Sequence, residues 1–137
     1  MNRIKQISII SILLFALSAC ATAPSDTSGK YDLDGQLEPV TEVLKYNLMS
    51  WDAIDSRSFI LQTAPSQFYL IVLIRHSDQL PFAETISITS TGAVVKPGYD
   101  KVTVYGSPQV DTFVIDKIYK LENREQGTAI KEQLRGR

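Results

Sequence analysis

Phe68-Tyr69-Leu70-Ile71-Val72-Leu73-Ile74 is a run of seven apolar residues. Its length and its aromatic and β-branched content favour a strand over a helix. A strand that is apolar on both sides must be covered on both faces, so it belongs at the centre of a sheet or in the wall of a barrel. Just before it, Ser58-Phe59-Ile60-Leu61-Gln62-Thr63 is a second run of β-formers. Ala64-Pro65-Ser66-Gln67 lies between them with the composition of a reversing turn. The two runs therefore pair as a hairpin.

Downstream, Arg75-His76-Ser77-Asp78-Gln79-Leu80-Pro81 reads as a polar loop, and Phe82-Ala83 as a single helical turn. From Glu84 to Ser90 the chain alternates, with Ile86 and Ile88 on one face and Thr85, Ser87 and Thr89 on the other, which is the period of a half-buried strand. Thr91-Gly92 turns it into Ala93-Val94-Val95. Lys96-Pro97-Gly98-Tyr99 is a second turn, with proline and glycine placed for type II geometry. Lys101 to Tyr105 alternates again, with Val102 and Val104 inward. Gly106-Ser107-Pro108 breaks that strand, and a last one starts at Thr112 and runs through Ile115 to Ile118 and Tyr119.

Upstream, residues 39–56 carry two signals. Val40, Val43, Leu44, Asn47 and Leu48 have a helical spacing, while Tyr46, Leu48 and Trp51 suit a strand. We read an extended segment that ends in a turn over residues 50–55, where Ser50 and Asp52 can cap one helical turn. Six to seven short strands at close intervals predict an all-β domain over residues 39–121, either a small antiparallel barrel or a sandwich. Residues 122–137 are charged, with Ile130 and Leu134 widely spaced, and read as a disordered tail or a surface helix.

The N-terminal stretch is of another kind. Arg3 and Lys5 precede an apolar run from Ile7 to Leu17, the length of a signal-peptide core and too short to span a bilayer. Leu17-Ser18-Ala19-Cys20 follows and resembles the lipobox of bacterial lipoproteins. That resemblance implies peptidase recognition at Leu17, Ser18 and Ala19, and attachment of lipid (diacylglyceryl and palmitate-type chains) to Cys20. Residues 1–19 are then a signal peptide. Residues 20–38, rich in small and polar residues, are the lipidated cysteine and a flexible tether. Alanine at position 21 implies sorting to the inner face of the outer membrane of a Gram-negative bacterium. The membrane, through the lipid, is the first expected partner.

The chain has 137 residues and a net charge of −1, which becomes about −3 when Arg3 and Lys5 leave with the signal. The remainder makes one small domain. There is no basic stripe to drive nucleic-acid binding. Cys20 is the only cysteine, so no intramolecular disulfide can form, and thiol nucleophiles and zinc–thiolate sites are excluded by the same count.

Trp51-Asp52-x-x-Asp55, Phe59-Ile60-Leu61, Tyr69-Leu70, Phe82-Ala83-x-x-Ile86, the stretch from Asp100 to Val104 and Ile115-x-x-Ile118 together resemble a family of small proteobacterial lipoproteins of unknown function, over residues 46–121. The resemblance implies a fold and an envelope location, and no chemistry. Many members carry two cysteines, near the loop after the long apolar strand and near the final strand. This chain has neither, so packing must take the place of a disulfide there.

Candidate chemistry is sparse. His76, the single histidine, forms His-x-Asp with Asp78 and could hold a metal with Glu84, but two-residue spacing in a loop fixes no geometry. His76 could also serve a serine triad, yet no strained elbow presents a nucleophile. Carboxylate pairs can be drawn from Asp52, Asp55, Glu84, Asp100 and Asp116, as in any acid-rich chain. Trp51 reads as a core plug or a ligand platform. Tyr69, Tyr99, Tyr105 and Tyr119 could ring the open end of a barrel. We therefore expect no catalysis, no metal and no cofactor. The expected role is a non-catalytic module that binds an envelope protein or a cell-wall component, with a small-ligand or lipid-binding barrel as the alternative. Contacts are expected at Trp51, Tyr69, Tyr99 and Tyr105.

Overall fold

The computed structural model describes residues 29–44 and 48–137. The expected signal peptide over residues 1–19, Cys20 and residues 20–28 of the expected tether lie outside them. The strands are β1 (Glu38–Pro39), β2 (Val43–Leu44), β3 (Ser50–Ala53), β4 (Ser58–Ala64), β5 (Gln67–Leu73), β6 (Thr85–Ile88), β7 (Val94–Val95), β8 (Lys101–Tyr105) and β9 (Val110–Leu121). One helix, α1 (Arg124–Arg135), follows them.

Seven strands form one antiparallel sheet curled into a half-barrel, in the order β3-β4-β5-β9-β8-β6, with β1 added alongside β9. β2 and β7 make a separate two-stranded ribbon. The seven apolar residues do what their composition demands. β5 lies third in the sheet, and Leu70, Ile71, Val72 and Leu73 are all fully buried. Ile71 and Leu73 face the concave side, packed with Phe59, Leu61, Val102, Val104, Phe113, Ile115 and Ile118. Phe68, Leu70 and Val72 face the convex side, packed with Tyr31, Leu33, Leu37, Tyr119, Leu121, Ile130 and Leu134. Each such side chain contributes about 1.5–3 kcal/mol by leaving water.

The turns follow their residues. Ala64 pairs with Gln67 across Pro65-Ser66, and Thr63 is the extra residue where the register shifts between Gln62 and Ala64. Gly98 has φ +81°, the left-handed value that the third position of a type II turn requires, and Tyr99 N–H donates to Lys96 O.

β9 is long enough to serve two sets of neighbours because it changes face part-way. Val72 pairs with Lys117, yet Leu73 pairs with Ile115, so Asp116 is an extra residue. The bulge reverses the parity of the strand. Ile115 and Ile118, three apart, both reach the concave core, and Tyr119 and Leu121 reach the convex one.

Three expectations need correction. The flexible tether read over residues 20–38 does not extend through its second half. Gly29–Tyr31 forms a 3-10 turn, and Tyr31, Leu33 and Leu37 are buried on the convex face. Their apolar side chains are few and aperiodic, but the sheet supplies the partner surface. The charged tail is neither disordered nor a marginal surface helix. α1 buries Ile130 and Leu134, which with Gly127 make one i, i+3, i+7 stripe. A Cβ on Gly127 would stand 3.2 Å from Ile60 Cδ1, so glycine lets the helix lie close to β4. Finally, residues 50–53 are an edge strand and not a helical turn, because Ser50, Trp51, Asp52 and Ala53 pair with Gln62, Leu61, Ile60 and Phe59. The reversal falls instead at Asp55, whose side chain organises it.

Candidate functional site

The densest polar cluster surrounds Asp55. Its Oδ1 accepts from Arg57 N–H, Ser58 N–H and Ser58 Oγ, each at 2.9 Å. Its Oδ2 accepts from Tyr31 Oη at 2.9 Å and faces Lys30 Nζ at 3.0 Å. Burial alone would raise the Asp55 carboxyl. The Arg57 amide, Lys30, Ser58 and Tyr31 outweigh it and hold the group below the usual range. Burial, and then the Asp55 charge, push the Tyr31 phenol well above its ordinary value. Arg57 is buried with its charge satisfied. Nε donates to Leu73 O at 2.6 Å, Nη2 meets Asp116 Oδ2 at 3.3 Å, and the guanidinium lies over the Tyr31 ring. Lys30 Nζ, Tyr31 Oη, Ser58 Oγ and Arg57 Nε and Nη2 all have partners in the fold. This arrangement joins the β3–β4 turn to the N-terminal segment and to the β9 bulge.

The candidate catalytic and metal-ligating groups of the sequence are not brought together among the described residues. His76 Nδ1 lies 3.0 Å from Ser56 Oγ in an exposed loop. Among the described residues no carboxylate bonds its other nitrogen, so the pair lacks the orienter a triad needs. Asp78 and Glu84 do not join it, and among the described residues no three His, Cys, Asp or Glu side chains converge on one point. Asp100 is buried, and its carboxylate accepts from Lys96 N–H at 2.7 Å and faces the hydroxyls of Thr89 and Thr91, so it organises the β7–β8 loop. Asp52 pairs with Lys131 of α1, and Asp116 with Arg57.

The aromatic candidates fall in different places. Trp51, Leu61 and Tyr69 form one cross-strand row, and Trp51 and Tyr69 pack partly against the concave core. Trp51 meets Phe59 edge-on at 6.1 Å between ring centroids. A cleft of about 310 Å³ beside it is lined by Trp51, Asp52, Ala53, Pro81, Ala83 and Glu84. Tyr119 is fully buried on the convex side, its phenol held by Leu33 N–H and Asp34. Tyr99 stands exposed in its turn, and Tyr105 lies exposed at the end of β8. Among the described residues no ring of tyrosines surrounds an opening.

A family model described as a family of unknown function, DUF6491, matches residues 3–137. The chain belongs to the DUF6491 family. No curated protein and no solved structure matches it. The match runs beyond the residues 46–121 over which the sequence resembles a family of unknown function, taking in the N-terminal stretch and α1 of this DUF6491 chain.

The sequence reading passed over one surface of the DUF6491 fold. α1 and the N-terminal segment cover the convex face only over β5, its neighbours and the second half of β9. Over β6, β8 and the first half of β9, no described residue is layered on it. The register sets the outward side chains in three rows across the strands. Thr85, Tyr105 and Val110 form one row, and Ser87, Thr103 and Thr112 the next. Lys101 and Val114 form the third, extended by Thr89, whose N–H donates to Lys101 O, and by Ile74, whose N–H donates to Val114 O. All of these are exposed or half-buried. The signal for this face lay in the same alternation that revealed the strands: six of these ten outward residues bear hydroxyls and only Lys101 is charged.

Proposed function

We propose that this protein is a lipid-anchored envelope protein whose folded domain binds an envelope protein or a cell-wall component without catalysis. The anchor reading rests on the positive start, the apolar run to Leu17 and Leu17-Ser18-Ala19-Cys20. Two or three acyl chains on Cys20 hold a protein in the bilayer far more firmly than one, since each buried methylene contributes about 0.8 kcal/mol. Alanine at position 21 favours the inner face of the outer membrane. Nine residues, 20–28, separate the start of the lipid anchor from Gly29, so the domain stands at most about 30 Å from the bilayer at 3.3–3.6 Å per residue.

The observation that carries the binding reading is the filled interior. Phe59, Leu73, Leu80, Val102, Val104 and Ile115 occupy the concave side with no exposed surface. A lipid- or ligand-holding barrel would need an apolar cavity of about 300 Å³ or more in that place. A domain of this kind acts through its outside, and the part of the convex face on which no described residue is layered is the surface on offer.

Metabolic labelling with palmitate tests the anchor. The wild-type band carries label and fractionates with membranes, and Cys20→Ser loses both. Crosslinking in intact cells, followed by recovery of the protein from the membrane fraction, tests the binding role. An unlabelled wild-type band refutes the anchor, and recovery of the protein alone, free of protein and wall material, refutes the module.

A further inference from the structure

We propose that the uncovered face of β6, β8 and the first half of β9 binds a neutral glycan strand. The inference rests on the binding-module reading above and names its ligand class.

The face is a small lattice. Neighbouring strands lie about 4.8 Å apart and alternate residues about 6.8 Å apart, so three rows on three strands cover roughly 10 Å by 14 Å. That is well under the roughly 800 Å² per partner that a stable protein interface buries. It is the footprint of a short run of sugars.

Its chemistry fits sugars as well. Thr85, Ser87, Thr103 and Thr112 place four hydroxyls on the lattice, and a hydroxyl both donates and accepts, as a sugar hydroxyl does; the Thr89 hydroxyl is already engaged by Asp100 and by Lys101 N–H. Thr103 Oγ1 and Thr112 Oγ1 lie 3.0 Å apart, which fixes both rotamers before a ligand arrives. Tyr105 is 46% exposed between short neighbours, so its ring is accessible to the C–H face of a pyranose. Val110 and Ile74, at 58% and 53% exposed, add apolar surface of the same kind. Lys101 is the only charge in the lattice. A phosphate backbone or an anionic lipid surface would need several cations there. A backbone held in a sheet also loses little freedom on binding, which is how a shallow face retains useful affinity.

The test is a titration of the isotopically labelled full chain with N,N′,N″-triacetylchitotriose, a neutral oligosaccharide, followed by amide chemical shifts. The expected result is saturable shifts confined to residues 85–89, 101–105 and 110–114. Tyr105→Ala should weaken binding about tenfold and Lys101→Ala by no more than about twofold. Both side chains are exposed, and unchanged amide dispersion elsewhere confirms that the variants fold. Full-chain cosedimentation with purified cell-wall sacculi, lost in Tyr105→Ala, is the second readout. Shifts centred on the Trp51 cleft, binding that requires Lys101, or no shifts at millimolar sugar would overturn the proposal. So would capture of a protein partner through Tyr105. Glycan silence in a chain that crosslinks to a partner elsewhere would sink this inference and leave the binding module standing. An unlabelled Cys20 with intact glycan shifts would do the reverse to the anchor.

Discussion

The buried phenol of Tyr119 accepts a hydrogen bond from the backbone N–H of Leu33 at 3.2 Å. The same oxygen lies 2.9 Å from Asp34 Oδ1 and 3.2 Å from Tyr31 O. One hydroxyl on β9 therefore satisfies backbone groups of a segment more than eighty residues away and fixes it on the convex face. Lys117, two residues before it on the strand, closes the outside of the same joint by meeting Asp32 at 3.2 Å and Asp34 at 3.5 Å. Both bridges are solvent-exposed and add little. The buried hydroxyl is the stronger element.

Tyr119→Phe should accordingly destabilise the domain by about 1–3 kcal/mol, the cost of leaving a buried N–H without its acceptor. In thermal unfolding this lowers Tm by several degrees, at about 4 °C per kcal/mol for a domain near one hundred residues. Lys117→Ala, measured beside it, should move Tm by less than a quarter as much. Equal effects would show that the exposed bridges and not the phenol hold the segment.

The Asp55 cluster predicts an acid limb. Its carboxyl titrates below the ordinary value in the folded protein because charge and hydrogen bonds there favour the anion. A depressed folded value means that the stabilisation is complete above the unfolded value, about pH 3.9, and is lost as pH falls through the folded one. Asp55→Asn should remove that dependence and flatten the urea midpoint between about pH 5 and pH 2 relative to wild type. Tyr31 gives the opposite sign at the other end. Its raised phenol value means that stability is intact below about pH 10 and declines above it, and Tyr31→Phe should weaken that alkaline decline. Urea midpoints measured across pH separate the two arms.

How much of this was legible follows from where each burial signal resides. β4, β5, β6 and β8 carry theirs locally, as an unbroken apolar run or an alternation, and a strand needs nothing more to be read. The last strand reads through Tyr119, but the β9 bulge hides which way its second half faces, because Ile115 and Ile118 break the alternation until Asp116 is removed from the register. Tyr31, Leu33 and Leu37 have no common period, since each fills a gap shaped by the sheet and not by its own backbone. α1 offered a readable start. Asn123 Oδ1 accepts from Gln126 N–H at 2.8 Å, and Gln126 Oε1 accepts from Glu122 N–H at 2.7 Å, one residue before the N–H that a capping box would use. Its apolar stripe, however, has a glycine where a large side chain would announce it. Among the site candidates, Trp51 packs edge-on against Phe59 while half-exposed on the edge strand beside the cleft, and strand parity sends Tyr69 and Tyr105 to opposite faces.

Because α1 is part of the fold, its apolar stripe should be costly to cut. Leu134 is fully buried and Ile130 nearly so, both against the convex face of β5 and β9. Leu134→Ala or Ile130→Ala should cost about 2–5 kcal/mol, the range for a large-to-small change that leaves a cavity. Glu132→Ala, on the exposed side, should stay within about 0.5 kcal/mol. Chemical denaturation distinguishes the cases, and a stripe variant as stable as Glu132→Ala would return the helix to the status of an appendage. α1 also places Arg135 where Nε donates to Ile54 O at 2.9 Å and Nη2 to Ala53 O at 3.3 Å, covering carbonyls at the end of edge strand β3. A stripe variant that loosens the helix should therefore speed amide exchange in residues 50–54 more than in β8.

The Lys96–Tyr99 turn gives the sharpest local test. Gly98 holds φ +81°, and nothing lies within 4 Å of where a Cβ would stand, so a methyl group there meets no neighbour and only the backbone conformation resists it. A non-glycine residue in the left-handed region costs about 1–2 kcal/mol. Gly98 N–H also donates to Ile115 O at 2.7 Å, so the turn is tied to β9 and cannot relax by swinging outward. Gly98→Ala should lower stability by that amount, and Gly98→Asn by less, because asparagine tolerates the conformation better. Gly29→Ala, where a Cβ also finds open space and φ is not positive, should be close to neutral. If Gly98→Ala and Gly29→Ala unfold at the same denaturant concentration, the type II geometry is wrong, and with it the entry of the chain into β8.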